Sequence, residues 1–176
     1  MTARPADPAP THPAALEADR LLADCEVRFT RRSGPGGQNR NKVETAVLLT
    51  HRPTGLTAEA HERRSQAENR KIALRRLRLL LARAVRRPVE GDRSPSPTWQ
   101  ARLCGGRIVV NSEHTDFPAL LAEALDMLAA TGDDLRTAAD RLQCTASQLA
   151  KLIRDDPPAF AALNAARRGR GLPPLR

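Results

Sequence analysis

The chain has 176 residues and a formal net charge of +9, which leaves room for one compact domain and a smaller appendage. With 2% aromatic residues, no Tyr and one Trp, its core must be built from Leu, Val, Ile and Ala, and platforms for stacking bases are nearly excluded. Cys25, Cys104 and Cys144 have no Cys-x-x-Cys spacing, so neither a disulfide framework nor a zinc site is indicated, and no metal or other cofactor is implied.

Residues 1–13 hold Pro5, Pro8, Pro10 and Pro13 among small residues, a composition that reads as a disordered lead-in. There is no apolar run for a signal peptide or membrane span, and Asp7, Glu17, Asp19 and Asp24 argue against a transit peptide. The expectation is a cytoplasmic protein with no membrane partner. Leu16, Leu21 and Leu22 suggest a short helix, and residues 26–32 alternate as a strand with Val27 and Phe29 on one face. A glycine-rich loop, 33–38, follows. Residues 43–50 read as a strand, His51-Arg52-Pro53-Thr54-Gly55 as a turn, and 56–62 as the returning strand of a hairpin.

From Arg64 to Arg87 the pattern is helical, with Leu74, Leu77, Leu81 and Val85 on one stripe, widened by Leu80 and Ala84. At about 100° per residue, Arg64, Lys71, Arg75, Arg78 and Arg86 fall on the opposite side. One face is expected to meet the sheet and the other a polyanion. Pro88, Pro95 and Pro97 with two serines mark a linker over 88–113 containing a short strand near 107–111. Helical patterns then run over 118–130, 135–142 and 147–154, with Gly132 as a stop and Asp133 as the next N-cap. The fold class is α+β: a domain at 14–87 with a mixed sheet and hairpin packed by a long helix, a small all-α module at 114–166, and a short basic tail at 167–176.

Charge divides along the chain. Residues 28–87 contain 16 Lys or Arg against 4 Glu, net +12, as phosphate-backbone binding requires. Residues 113–156 contain 9 acids against 4 bases, net −5. There Leu135, Ala138, Ala139 and Leu142, then Leu149, Leu152 and Ile153, are spaced like a helix-turn-helix, but a groove-reading helix needs basic flanks. The module is therefore expected to dock on protein.

Gly36 and Gly37 lack Cβ, so the loop can adopt positive φ and bring backbone close to other groups in a crowded cavity. Gln38 both donates and accepts hydrogen bonds without titrating near neutral pH, so it can position water but is a poor general base. The loop is not a nucleotide-triphosphate cradle, because GPGGQNRNKVET lacks the Gly-Lys-Ser/Thr ending. Gly105-Gly106 precedes Arg107 rather than Gln, which supports no second active loop.

Ser33-Gly34-x-Gly36-Gly37-Gln38, Asn41-Lys42, Thr50-His51-x-Pro53-Thr54-Gly55, and Arg64-Ser65-Gln66 with Asn69 occur in order over residues 25–87. In these marks the chain resembles the catalytic domain of class I peptide-release factors and the short release-factor-like hydrolases that rescue stalled ribosomes. The residue after Gln38 departs from the pattern: many members have His, this chain has Asn39. The resemblance implies hydrolysis of the peptidyl-tRNA ester, with Gly36, Gly37 and Gln38 as catalytic residues. Arg31, Arg32, Arg40 and Lys42 flank the loop and Arg64, Lys71, Arg75 and Arg78 share one helix face, so these, with Ser33, Asn41 and Gln66, are the expected contacts to ribosomal RNA and tRNA. The partners implied are large-subunit RNA and P-site peptidyl-tRNA, with a ribosomal or rescue-factor protein as the partner expected for the helical module. Too few residues remain for the codon-reading domains of full-length factors, so codon-independent release is expected. Two other readings stay open on sequence: a ribosome-binding adaptor that does not hydrolyse, and a helix-turn-helix nucleic-acid-binding regulator.

Overall fold

The computed structural model describes residues 11–30, 45–89 and 94–175. After a 3-10 turn at Pro13–Ala15 come α1 (Ala18–Ala23), β1 (Cys25–Thr30), β2 (Ala46–His51), β3 (Thr57–Ala60) and α2 (Gln66–Ala84). Then follow α3 (Pro97–Arg102), β4 (Leu103–Cys104), β5 (Arg107–Ile108), α4 (Phe117–Ala130), α5 (Leu135–Arg141), α6 (Ala146–Arg154) and α7 (Pro157–Gly169). The fold is α+β.

β2 is the central strand, antiparallel to β1 on one side and β3 on the other, with Val27 opposite Leu49 and Leu49 opposite Ala58. The turn after β2 closes through Gly55 N–H to His51 O at 2.8 Å, with Gly55 at φ 70°, where a side chain would be strained. Val47 and Leu49 pack with Ala73, Leu77 and Leu81 of α2, all fully buried. Burying each large aliphatic side chain contributes about 1.5–3 kcal/mol, so this interface sets the position of α2 on the sheet.

The second face of α2 differs from the sequence expectation. α4 packs along α2, and Leu120, Leu121, Ala124 and Leu128 join Leu77 and Leu81 in one continuous core. α4 itself is almost wholly apolar, which is why it can be wrapped by α2 and the helices that follow. The expected linker also carries structure. Ser96 caps α3 by accepting from Trp99 N at 3.1 Å, Pro97 takes the first turn, and Trp99 is buried with its indole N–H on Leu142 O at 2.8 Å. A residue in the linker thus locks the module in place.

At the next junction Gly132 and Asp133 both have positive φ, and the N-cap of α5 is Asp134, whose carboxylate accepts from Thr137 N at 2.8 Å. The basic tail is folded back as well. Arg167 ends its helix buried, donating to Asp133 O and, at 2.9 Å, to Pro173 O, while Arg170 pairs with Asp133 at 3.1 Å. No described helix is long and apolar enough to cross a membrane.

Candidate catalytic-loop scaffold

The residues expected from the sequence to carry the chemistry lie between β1 and β2. Gly36, Gly37 and Gln38 are outside the described residues, and so are Arg31, Arg32, Ser33, Arg40, Asn41 and Lys42. What is described is the frame. Thr30 stands opposite Ala46 in the ladder, so the chain leaves β1 and re-enters β2 at neighbouring points on the same end of the sheet. A long insertion between paired strand ends costs little closure entropy beyond that of a shorter one, provided the ends are held.

The end at Thr45 is held by Asn69. This side chain is fully buried one turn into α2, its amide donates to Thr45 O at 2.7 Å and Arg63 O at 2.9 Å, and its oxygen accepts from Arg63 N at 2.9 Å. One amide therefore ties the exit of the 31–44 segment to the entry of the long helix. Only a group that donates and accepts can satisfy all three backbone partners. Ser65 caps the helix, accepting from Glu68 N at 3.3 Å, and Arg76 reaches back to Glu59 O at 2.6 Å and to Glu62. β3 and α2 are fastened at the same end as the segment.

The opposite end of the sheet is held by the His51 turn. His51 is buried, its Nδ1 hydrogen-bonded to Thr54 Oγ1 at 2.8 Å, and burial lowers its pKa while Asp24 opposes this. Arg52 donates to Cys25 O at 3.2 Å and to Ala23 O, pinning the turn to α1 and β1. These residues set the geometry of the turn and lie at the far end of β2 from Ala46. Among the described residues no cluster of three or more His, Cys, Asp or Glu could hold a metal ion.

The RNA-contact set expected on α2 is divided by the structure. Arg64, Gln66 and Lys71 are exposed near the start of α2, close to the Asn69 clamp, and Arg64 and Lys71 make no ion pair with any described residue. Arg75 and Arg78 are turned inward. Arg75 donates to Ser112 O at 2.6 Å and Glu113 at 2.9 Å, while Arg78, half-buried, donates to Leu16 O. Burial lowers the Arg78 pKa, and Glu17 and Asp116 oppose this. Farther along, Arg83 forms a two-pronged pair with buried Asp156 at 2.8 and 2.6 Å, and Arg86 pairs with Asp126 at 3.1 Å. The stripe is sound as helical geometry, and its C-terminal half has partners within the chain: Glu113 and Ser112 O for Arg75, Leu16 O for Arg78 and Asp126 for Arg86. Asn69 was legible only as a motif mark; its buried position shows it to be the clamp.

Comparison with known proteins fits this frame. Residues 19–101 match the family model RF-1 domain, farther on both sides than the motifs alone. The chain is 53% identical over 58 residues to chloroplastic peptide chain release factor PrfB1 of Arabidopsis thaliana, covering 33% of this chain and 13% of that protein. It is 40% identical over 90 residues to peptide chain release factor 1 of Rickettsia typhi, covering 50% of this chain and 25% of the relative. With peptide chain release factor 1 of Frankia casuarinae it shares 33% identity over 148 residues, 72% of this chain and 42% of the other. The chain thus spans less than half the length of each of these relatives. Residues 19–101 are an RF-1 domain, and through it the chain belongs to the class I release-factor-like family.

Proposed function

We propose that the chain releases nascent peptides by hydrolysing the ester between peptide and tRNA in the ribosomal peptidyl-transferase centre, independently of a stop codon. The observation that carries the reading is the RF-1 domain match together with a sheet end where the 31–44 segment leaves and re-enters at paired strand ends, the second of them tied down by Asn69 at Thr45. In the reaction, water adds to the ester carbonyl, negative charge gathers on the carbonyl oxygen, and the ribose oxygen leaves with a proton. The backbone N–H of Gln38 is suited to that charge, and its side-chain amide to orienting the water. Gly36 and Gly37 give the backbone its approach. Proton transfer falls to the RNA, including the substrate's own 2′-hydroxyl, since Gln38 does not titrate.

Arg31, Arg32, Arg40 and Lys42, with Ser33 and Asn41, would position the loop on phosphates, continued by exposed Arg64, Gln66 and Lys71. Large-subunit RNA and P-site peptidyl-tRNA are the partners of this reading, and the compartment is the one that holds translating ribosomes, the cytoplasm. Codon independence and a role in rescue come from the resemblance to the short release-factor-like hydrolases; residues 102–175 pack against the RF-1 domain as a helical module.

The test is peptide release from ribosomes stalled with and without messenger in the A site, and from isolated large subunits. Release from complexes lacking an A-site codon is expected, and Gly37→Ala should lower it by orders of magnitude with the thermal transition unchanged. Release confined to stop-codon complexes would overturn codon independence. Undiminished release by the Gly37→Ala protein would remove the loop from the mechanism.

A further inference from the structure

The helix-turn-helix spacing of residues 135–153 is folded as such. α5 ends in a turn where Gln143 has φ 57° and Cys144 N–H returns to Ala139 O at 3.0 Å, and Thr145 opens α6 by accepting from Gln148 N at 3.2 Å. In α6, Leu149, Ala150, Leu152 and Ile153 are buried while Ser147, Lys151 and Arg154 are exposed. The short hairpin β4–β5 packs against α6, its turn made by Gly105 and Gly106 at φ 54° and 73°, with Arg107 exposed beside them.

The negative charge of residues 113–156 does not describe this surface. Glu113, Asp116, Asp126, Asp133 and Asp156 pair with Arg75, Arg102, Arg86, Arg170 and Arg83, and Glu123 accepts from Ser96. What faces solvent on α5 and α6 is Asp134, Asp140 and half-exposed Asp155 against Arg136, Arg141, Lys151 and Arg154. Arg107 adds a further cation from the hairpin. Most acids of the segment are paired elsewhere, and on this face five bases, Arg107 included, stand against three acids, with Lys151 paired to Asp155 at 3.1 Å, an exposed ion pair of the kind that contributes little and that a phosphate can replace.

We propose that α6 and the tip of the β4–β5 hairpin form a docking surface for double-helical RNA, recognised through its backbone. Lys151, Arg154 and Arg107 would meet phosphates, and the Ser147 hydroxyl and Gln148 amide can donate to or accept from the 2′-hydroxyls in the wide, shallow minor groove. Stacking on splayed bases is disfavoured, because the aromatic ring near this face, Phe160, lies under the Arg154 guanidinium at 5.9 Å. The choice of RNA over DNA rests on the release reading; the basic face itself does not.

The test measures binding of the full-length protein to a fluorescent RNA duplex of about two helical turns, the DNA duplex of the same sequence and the corresponding single strand, across a salt series. Arg107→Gln/Lys151→Gln/Arg154→Gln should weaken duplex RNA binding about tenfold or more and lower the slope of log affinity against log salt by about two, with an unchanged melting transition. Arg20→Gln/Arg70→Gln, exposed on the RF-1 side and outside both contact sets, should leave that binding intact. The proposal falls if the triple variant binds as the parent does, if both variants lose equally, or if single strands or duplex DNA bind as tightly as duplex RNA. Peptide release measured separately keeps the two readings apart: a release-dead protein that still binds duplex RNA sinks the release reading alone.

Discussion

Asn69 concentrates the most structural consequence in one side chain. The side chain is fully buried while its three backbone partners lie on half-buried Thr45 and exposed Arg63, so replacing it breaks three hydrogen bonds at about 0.5–1.5 kcal/mol each. Asn69→Ala is expected to lower the thermal midpoint by several degrees and, by freeing Thr45, to reduce peptide release more steeply than the stability loss alone explains. Asn69→Asp should be worse, because a carboxylate would face the two carbonyls that the amide now donates to. Calorimetry and single-turnover release on the same samples check this; release that merely tracks the folded fraction would confine Asn69 to stability.

Two histidines give the fold a pH dependence. Burial lowers the pKa of His12 and of His51 below the ordinary 6.5, and His12 is further bound through Nε2 to Val85 O at 3.3 Å. The unfolded chain then binds more protons than the native one below about pH 6.5, so stability is intact above that value and is lost as pH falls toward the folded pKa values. Asp126, raised by burial, acts in the opposite sense at lower pH, above its ordinary 3.8. The midpoint should therefore drop between pH 7 and about 5, and His51→Gln should flatten the fall. A midpoint constant over that range would show that neither histidine is held neutral.

At the scale of elements, α2 was legible because its apolar residues recur with helical spacing, and the hairpin because Pro53 and Gly55 sit where the chain reverses. The sheet followed, since period-two alternation admits one register against a buried face. α3 escaped because the prolines and serines before it were read as a linker, and α7 was not among the helical patterns; here Ser96 and Asp156 are N-caps and the prolines occupy first-turn positions. Small residues dominate α7, so it has little stripe to detect, and Arg167 reads as solvated until its buried partners are seen. The acidic module's partner was also beyond sequence: a net charge does not say which acids face inward.

Asp156 shows why. It caps α7 by accepting from Ala159 N at 2.9 Å and holds Arg83 with both oxygens, while its side chain is 4% exposed. Removing Arg83 alone leaves a buried carboxylate uncompensated, at about 2–3 kcal/mol after allowance for the partial exposure of Arg83. Arg83→Ala/Asp156→Asn should recover part of that loss, because asparagine keeps the cap without the charge. Urea unfolding of both variants decides it; a double variant no more stable than Arg83→Ala would mean the pair's charge is not the source of the cost.

For the whole molecule, the question is whether the RF-1 domain can act without the module. All sequence marks of release lie within residues 25–87, and on that basis residues 114–176 look removable, with release recovering at high concentration. The structure gives the opposite expectation. Leu77 and Leu81 are buried by the sheet and α4 together, and Trp99 reaches across to Leu142, so cutting at 113 strips α4 from the second face of α2 and removes the indole's acceptor. Large-to-small losses in such cores cost about 2–5 kcal/mol for a single leucine, and deleting a helix that shares the core removes several such contacts at once, against a total stability of about 5–15 kcal/mol. A 1–113 chain is expected to aggregate or to show no cooperative unfolding transition, and to release no peptide at any concentration. Removing only residues 172–176 should be mild, since it forfeits the Asn164 bonds to Leu175 at 3.2 and 2.7 Å and the Arg167 bond to Pro173 O while leaving Arg167 on Asp133 O. Circular dichroism melts and release by the two truncated chains distinguish the cases: a folded, active 1–113 protein would show that the RF-1 domain is an independent unit and that the shared core is dispensable.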